Sequence, residues 1–218
     1  MSLLPRVPRP LRRDATSLRD DRLFIIACDD TFAPKQYFEF FQLTRIKVHV
    51  VPTQDNSSAA AHVLQRLLNV DHEDDDERWL LLDTDHYTSG THLSGFTQTL
   101  AEARRQGINV ALSKPSFELW LLLHCADETT LPPLATAKDI EAVLRTQLGE
   151  YNKAKLKKQH YPPSTVRDAC NRAQSLDART KGTDIPTETT TRVYQIWKAI
   201  VAKALPSQLP LERRQLLP

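Results

Sequence analysis

The sequence is poor in the residues that several common chemistries need. Only five glycines serve 218 residues. Neither a G-x-x-x-x-G-K-[ST] loop nor a G-x-G-x-x-G turn is present, which excludes a P-loop and a dinucleotide fingerprint. Three cysteines, Cys28, Cys125 and Cys170, stand far apart. An odd, dispersed set without a C-x-x-C pair argues against a disulfide framework or a cysteine zinc site, and a reducing cytoplasm is the expected compartment. No apolar run approaches the roughly 20 residues that cross a bilayer, so no membrane span is expected. Residues 1–13 lack the apolar segment of a secretory signal.

What remains is the balance of an ordinary globular protein: 40% hydrophobic, 26% charged and 7% aromatic residues. The net charge of +2 conceals an asymmetry. Residues 1–100 carry 11 basic and 15 acidic side chains, whereas residues 101–218 carry 18 and 12. An acidic half beside a basic half suits a carboxylate metal site next to a polyanion-binding surface, although clustered solvated charge gives the same totals.

Short continuous apolar runs mark strands buried on both faces, as parallel strands are. Leu23 to Cys28 is one such run, ending at Asp29-Asp30, and Trp79 to Leu82 is another, ending at Asp83-Thr84-Asp85. Ile46 to Val51 and Ile108 to Leu112 complete four predicted strands. Helical periodicity falls between them at 35–43, 59–70 and 92–106, and after residue 115 at 117–125, 136–148, 151–159, 164–179 and 188–204. Alternation of this kind predicts an α/β fold, a parallel sheet of about four strands flanked by helices with a C-terminal helical extension. The expected divisions are a flexible arm (1–20), the α/β domain (21–125), a helical extension packed on it (126–206) and a tail (207–218).

Ligands of open parallel sheets bind at the carboxyl ends of the strands. Asp83 and Asp85 share a side in an extended chain, and such a D-x-D pair offers oxygen ligands for Mg²⁺ or Mn²⁺. The acid ending the first strand could move a proton or add a metal ligand. The competing explanation is that aspartates after strands serve as turn residues and caps. Glu118 either faces this site or makes a capping-type bond near Ser113 or Ser116. His124, about 120° away around a helix axis, reads as a satisfied core histidine. His86, beside the D-x-D, is a candidate supporting contact to the metal site, against a surface role.

The segment Ala111-Leu112-Ser113-Lys114-Pro115-Ser116-Phe117-Glu118-Leu119-Trp120-Leu121-Leu122-Leu123-His124 resembles the signature of the RloB-like family, a Toprim-related group, written S-N-P-x-F-E-L-W-L-L-L-H. Tyr37-Phe38, the Asp83-Thr84-Asp85 triplet, Tyr151 with Lys153, and the stretch from Pro186 to Val193 also fall on family motifs, so the resemblance spans about residues 22–203. It implies a Toprim-like sheet, Mg²⁺ held at Asp83 and Asp85, and nucleic-acid cleavage, in some related systems of transfer RNA, in bacterial defence against phage. Asp29 stands at the position of the family's acid/base glutamate, Asp30 replaces a glycine, and Ala33-Pro34-Lys35 replaces T-E-P.

A basic tract, Lys153, Lys155, Lys157, Lys158 and Arg167, is the candidate phosphate-binding surface, with Tyr151 and Tyr161 placed to stack on bases. A solvated helix face is the competing explanation. The expectation is thus a Mg²⁺- or Mn²⁺-dependent Toprim-like nuclease effector cutting RNA or DNA, with Asp29, Asp30 and Glu118 as candidate catalytic groups. A separate ATPase partner is expected, since the chain has no nucleotide-binding loop, and a homo-oligomer is compatible. The alternative is a catalytically inactive Toprim-like module that binds nucleic acid or a partner and signals by assembly, which the substitutions at Asp29, Asp30 and Ala33 would favour.

Overall fold

Alternate residues of the apolar runs belong to two different cores, and that division builds the molecule. In the computed structural model, which describes residues 22–43, 46–53, 58–85, 87 and 91–204, strand β1 (Arg22–Cys28) sends Phe24, Ile26 and Cys28 to one face and Leu23, Ile25 and Ala27 to the other. Strand β3 (Glu77–Asp83) divides the same way, with Trp79 and Leu81 opposite Leu80 and Leu82. Period-2 alternation with both faces apolar is what a central parallel strand requires.

The sheet is completed by β2 (Ile46–Val51), β4 (Asn109–Lys114) and β5 (Thr190–Thr191), in the order β2-β1-β3-β4-β5. Three pairings are parallel, and β5 joins β4 antiparallel through Ser113–Thr191 and Lys114–Thr190. Helices α2 (Ala60–Leu68) and α3 (Thr91–Arg105) cover one face. On the other lie α1 (Ala33–Glu39), α4 (Glu118–Leu122), α5 (Ala137–Leu148), α6 (Pro163–Arg179) and α7 (Val193–Lys203). The chain leaves β1 toward α1 on one face and leaves β3 toward α3 on the other. A crevice therefore opens between the carboxyl ends of β1 and β3, the topological switch point of the sheet.

The α/β architecture expected from the sequence is present, consistent with a Toprim-like sheet, with three differences of detail. The sheet has a fifth strand. Thr190 and Thr191 lie in the predicted 188–204 helix, but Thr191 bonds side chain to side chain with Ser113 at 2.8 Å, and the helix begins only at Val193. The predicted 151–159 helix is instead a loop ending in a 3-10 turn at Lys158–His160. Its one sizeable apolar residue besides Tyr151 is Leu156, so it has no stripe to bury. The Asn152 carboxamide accepts the Ala154 N–H at 2.9 Å, turning the chain locally. Finally, α1 starts earlier than expected, with Pro34 in its first turn, where the missing N–H costs nothing. The predicted arm (1–20), the tail (207–218) and His86 lie outside the described residues. No described helix is long and apolar enough to cross a membrane.

A buried aromatic cluster ties the C-terminal helices to the sheet. Trp197 of α7 packs on Phe38 (centroids 6.1 Å), Phe41 (4.8 Å) and Tyr37 (6.3 Å). His124 sits inside it as the satisfied core histidine foreseen above. Its Nε2 lies 3.0 Å from the Tyr37 hydroxyl and its Nδ1 2.7 Å from Thr165 Oγ1. Burial, with the Arg172 charge added, pushes its pKa down to about 3, so it is neutral at physiological pH.

Candidate metal and catalytic cleft

The acids at the two strand ends meet across the crevice. Asp29 follows β1 and Asp83 ends β3, and the Asp83 backbone N–H donates to Asp29 Oδ2 at 3.0 Å. Thr53, itself held by Arg66 at 3.0 Å, donates its hydroxyl to the Asp29 carbonyl at 2.9 Å and fixes this strand end from the β2 side. A cleft of about 250 Å³ is lined by Asp29, Asp30, Asp83, Asp85, Glu118, Glu141 and Lys153, together with Ser58, Ser116 and Ala137. The structure thus brings five acids of the sequence-derived set into one cavity.

Glu118 enters at the start of α4, which follows β4 after Pro115 and Ser116. It is 2% exposed, and its Oε1 accepts the Tyr151 hydroxyl at 3.1 Å rather than a bond near Ser113 or Ser116. Asp30 is engaged on both of its oxygens. Its Oδ1 accepts the N–H groups of Phe32 (2.6 Å) and Ala33 (3.1 Å), while Oδ2 meets Lys153 Nζ at 3.0 Å. That bonding pattern starts α1 and leaves Asp30 little free acceptor capacity. Asp29 is less committed, accepting one backbone N–H on Oδ2.

Crowded carboxylates in a partly enclosed cleft resist ionisation. Burial raises Asp29 to about 7, with Asp30 and Asp85 adding to the rise and the Asp83 N–H opposing it. Burial likewise drives Asp83 well above the usual carboxylate range, reinforced by Asp29 and Glu118. For Lys153, burial disfavours the charge, but Asp30, Glu118 and Asp83 outweigh it and hold the ammonium above its ordinary value. Cys28, beneath the cleft, is raised by burial and by Asp29, so it remains a thiol and is no nucleophile.

The donor set is oxygen only and rich in negative charge, the chemistry that hard divalent cations take. Among the described residues no group of three or more His, Cys, Asp or Glu side chains is placed so as to hold a metal ion. The oxygen-only lining suits a cation of the Mg²⁺ type, which needs only one or two carboxylates and completes its shell with water and phosphate oxygens.

Several features of the cleft were not foreseen. Glu141 reaches it from α5, yet its pairing with Arg145 at 2.9 Å reads in sequence as an ordinary solvated i,i+4 pair. Lys153 was expected among outward phosphate contacts and instead turns into the acidic cleft. The Y-x-K spacing was the available signal, since Tyr151 and Lys153 both reach the cleft acids from one loop. Ser116 lines the cleft, and its buried Oγ has no hydrogen-bond partner among the described residues. Of the remaining tract, Lys155, Lys158 and Arg167 are exposed, and Lys157 pairs with Glu150. Tyr161, expected to be open for base stacking, is 1% exposed because it packs against Phe40 and Tyr37.

The fold and cleft define an α/β protein with a carboxylate site at the switch point of its sheet. A family model described as RloB-like protein matches residues 24–200, most of the chain. The chain belongs to the RloB-like family. Neither the curated proteins nor the solved structures give a significant match.

Proposed function

We propose that the protein is a divalent-metal-dependent phosphodiesterase acting on nucleic acid, an effector of defence against phage. The observation carrying this is the convergence of Asp29, Asp83, Asp85 and Glu118 at the switch-point crevice, with two of these acids held at raised pKa by burial and mutual repulsion. Such a cluster is costly in a purely structural site and is relieved by a cation.

Asp83 and Asp85 would hold Mg²⁺ or Mn²⁺, which when bound would supply charge neutralisation at a phosphate. Asp29 is the acid/base candidate. It faces the cleft and is oriented by the Asp83 N–H on its Oδ2. Asp30 holds Lys153, whose ammonium enters an otherwise acidic cleft and is positioned to meet a phosphate oxygen. Glu118, fixed by Tyr151, is a second acid within reach of the same space. Exposed Lys155, Lys158 and Arg167 supply outer charge for a polyanion. An ATPase partner would restrain a nuclease that otherwise threatens its host.

One observation favours the alternative, a non-catalytic binding module. Lys153 already places a cation in the cleft, paired with Asp30 at 3.0 Å. Incubation with transfer RNA, single-stranded RNA and duplex DNA, in Mg²⁺ or in EDTA, separates the two. Cutting that needs the metal and is lost in Asp83→Asn is the expected outcome. Binding indifferent to EDTA, without cutting of any substrate, would favour the module.

A further inference from the structure

We infer that a second pocket, formed by the same loop that closes the carboxylate cleft, receives one unpaired nucleobase and so sets the neighbouring phosphate at the cleft. The inference rests on the nuclease reading and gives that site its substrate class: a single strand or an open loop, not a continuous duplex.

Residues 150–161 serve both cavities. Lys153 lines the cleft and pairs with Asp30. Tyr151 spans the two: its hydroxyl reaches Glu118 in the cleft at 3.1 Å, while the residue also lines a separate pocket of about 120 Å³. Pocket and cleft therefore lie one tyrosine side chain apart, comparable to the reach of a nucleotide from base to phosphate. The pocket is large enough for a single planar ring and too small for a base pair. Its apolar walls come from Tyr151, Leu156 and Tyr161, and its polar lining from Glu150, Asn152, Lys155, Lys157 and His160.

The walls are preformed. Tyr161 is stacked on Phe40 at 6.3 Å, and Leu156 is tied to α1 through its N–H to Gln36 Oε1 at 3.0 Å. Gln36 also donates to the Lys153 carbonyl at 2.9 Å, so one side chain anchors both sides of the loop. Little ordering is left to oppose binding. At the mouth, Glu150 is neutralised by Lys157, and Lys155 is exposed and makes no ion pair among the described residues. Lys155 draws in the backbone, and the Tyr151 ring accepts a base by its π-face, with Tyr161, 1% exposed, only backing the pocket. Duplex bases are stacked and paired, and would enter only by flipping.

The test is binding without cutting: fluorescence anisotropy in EDTA, on the full chain carrying Asp83→Asn. The probes are a labelled oligouridine of about a dozen nucleotides, the same strand with abasic sites throughout, and a duplex of equal length. The base-bearing strand should bind about tenfold tighter than the abasic one, the lower range of one stacked base. Tyr151→Phe keeps the ring and should keep that preference, whereas Tyr151→Leu should reduce it to under about threefold. Lys155→Ala with His160→Ala, which spares the aromatic walls, should weaken base-bearing and abasic strands alike. Equal affinity for abasic and base-bearing strands, tighter binding of the duplex, or a preference that survives Tyr151→Leu would overturn the base pocket and leave the nuclease reading standing. Failure to bind any of the three probes would overturn both.

Discussion

In EDTA at pH 8, an Asp29→Asn protein is expected to melt above the wild type, by on the order of 2–4 kcal/mol or roughly 5–10 °C in Tm. The sign follows from the raised carboxyl. Asp29 titrates near 7 in the folded chain, against an ordinary value of 3.8. The folded state thus holds this proton more tightly than the unfolded one, and the stability it contributes is fully present below about pH 4. That contribution is lost as pH rises from about 4 through 7, because burial, with Asp30 and Asp85 nearby, makes the ionised carboxylate costly in the folded protein. Asparagine removes the charge, and its side-chain oxygen can still accept the Asp83 N–H. The range allows for the partial solvent contact that Asp29 retains. At pH 5 most of the advantage should disappear. Thermal melts of both proteins across pH 5–8 check this. A variant that melts lower than the wild type at pH 8 would mean that burial and the neighbouring acids do not oppose ionisation of Asp29 as the geometry implies.

Trp197→Ala should cost about 3–5 kcal/mol. The side chain is 1% exposed and packs on Tyr37, Phe38 and Phe41. Those three rings belong to α1 and the turn after it, so the loss would fall on the joint between the C-terminal helix and the crossover that leaves β1. Trp197→Phe should cost much less. It keeps an aromatic ring and removes an indole N–H that is buried without a hydrogen-bond partner among the described residues. Urea unfolding with a single transition is expected for both. If Trp197→Ala lost less than about 1 kcal/mol, α7 would not be part of the core that supports the cleft.

The strand ends could be read from sequence because parallel strands buried on both faces are continuous apolar runs, and Cys28-Asp29 and Leu82-Asp83 break those runs abruptly. Strand order could not: the switch point between β1 and β3 depends on which face each crossover helix takes. β5 is two threonines long, too short to show an alternation, and exists because Ser113 and Lys114 offer it an edge. The 151–159 loop is rich in lysine, a good helix former, while the forces that shape it are long-range, above all the Gln36 bonds to Lys153 and Leu156. Glu141 was invisible as a cleft residue for the same reason. Nothing near it in sequence distinguishes it from a solvated acid, and only the packing of α5 beside α4 brings it to the cleft. Glu118 lay between, since its place after Pro115 at the head of a helix left two directions open until Tyr151 chose one.

We propose that the switch-point carboxylates hold a divalent cation. Titration calorimetry with Mn²⁺ on the wild type and on the Asp83→Asn/Asp85→Asn double variant, each shown to be folded by its melting transition, tests it most directly. The wild type should give a saturable isotherm whose affinity grows as pH rises toward 8, because the ion displaces protons held by the raised carboxyls, and the double variant should give none. An isotherm that is the same in both proteins would contradict the claim.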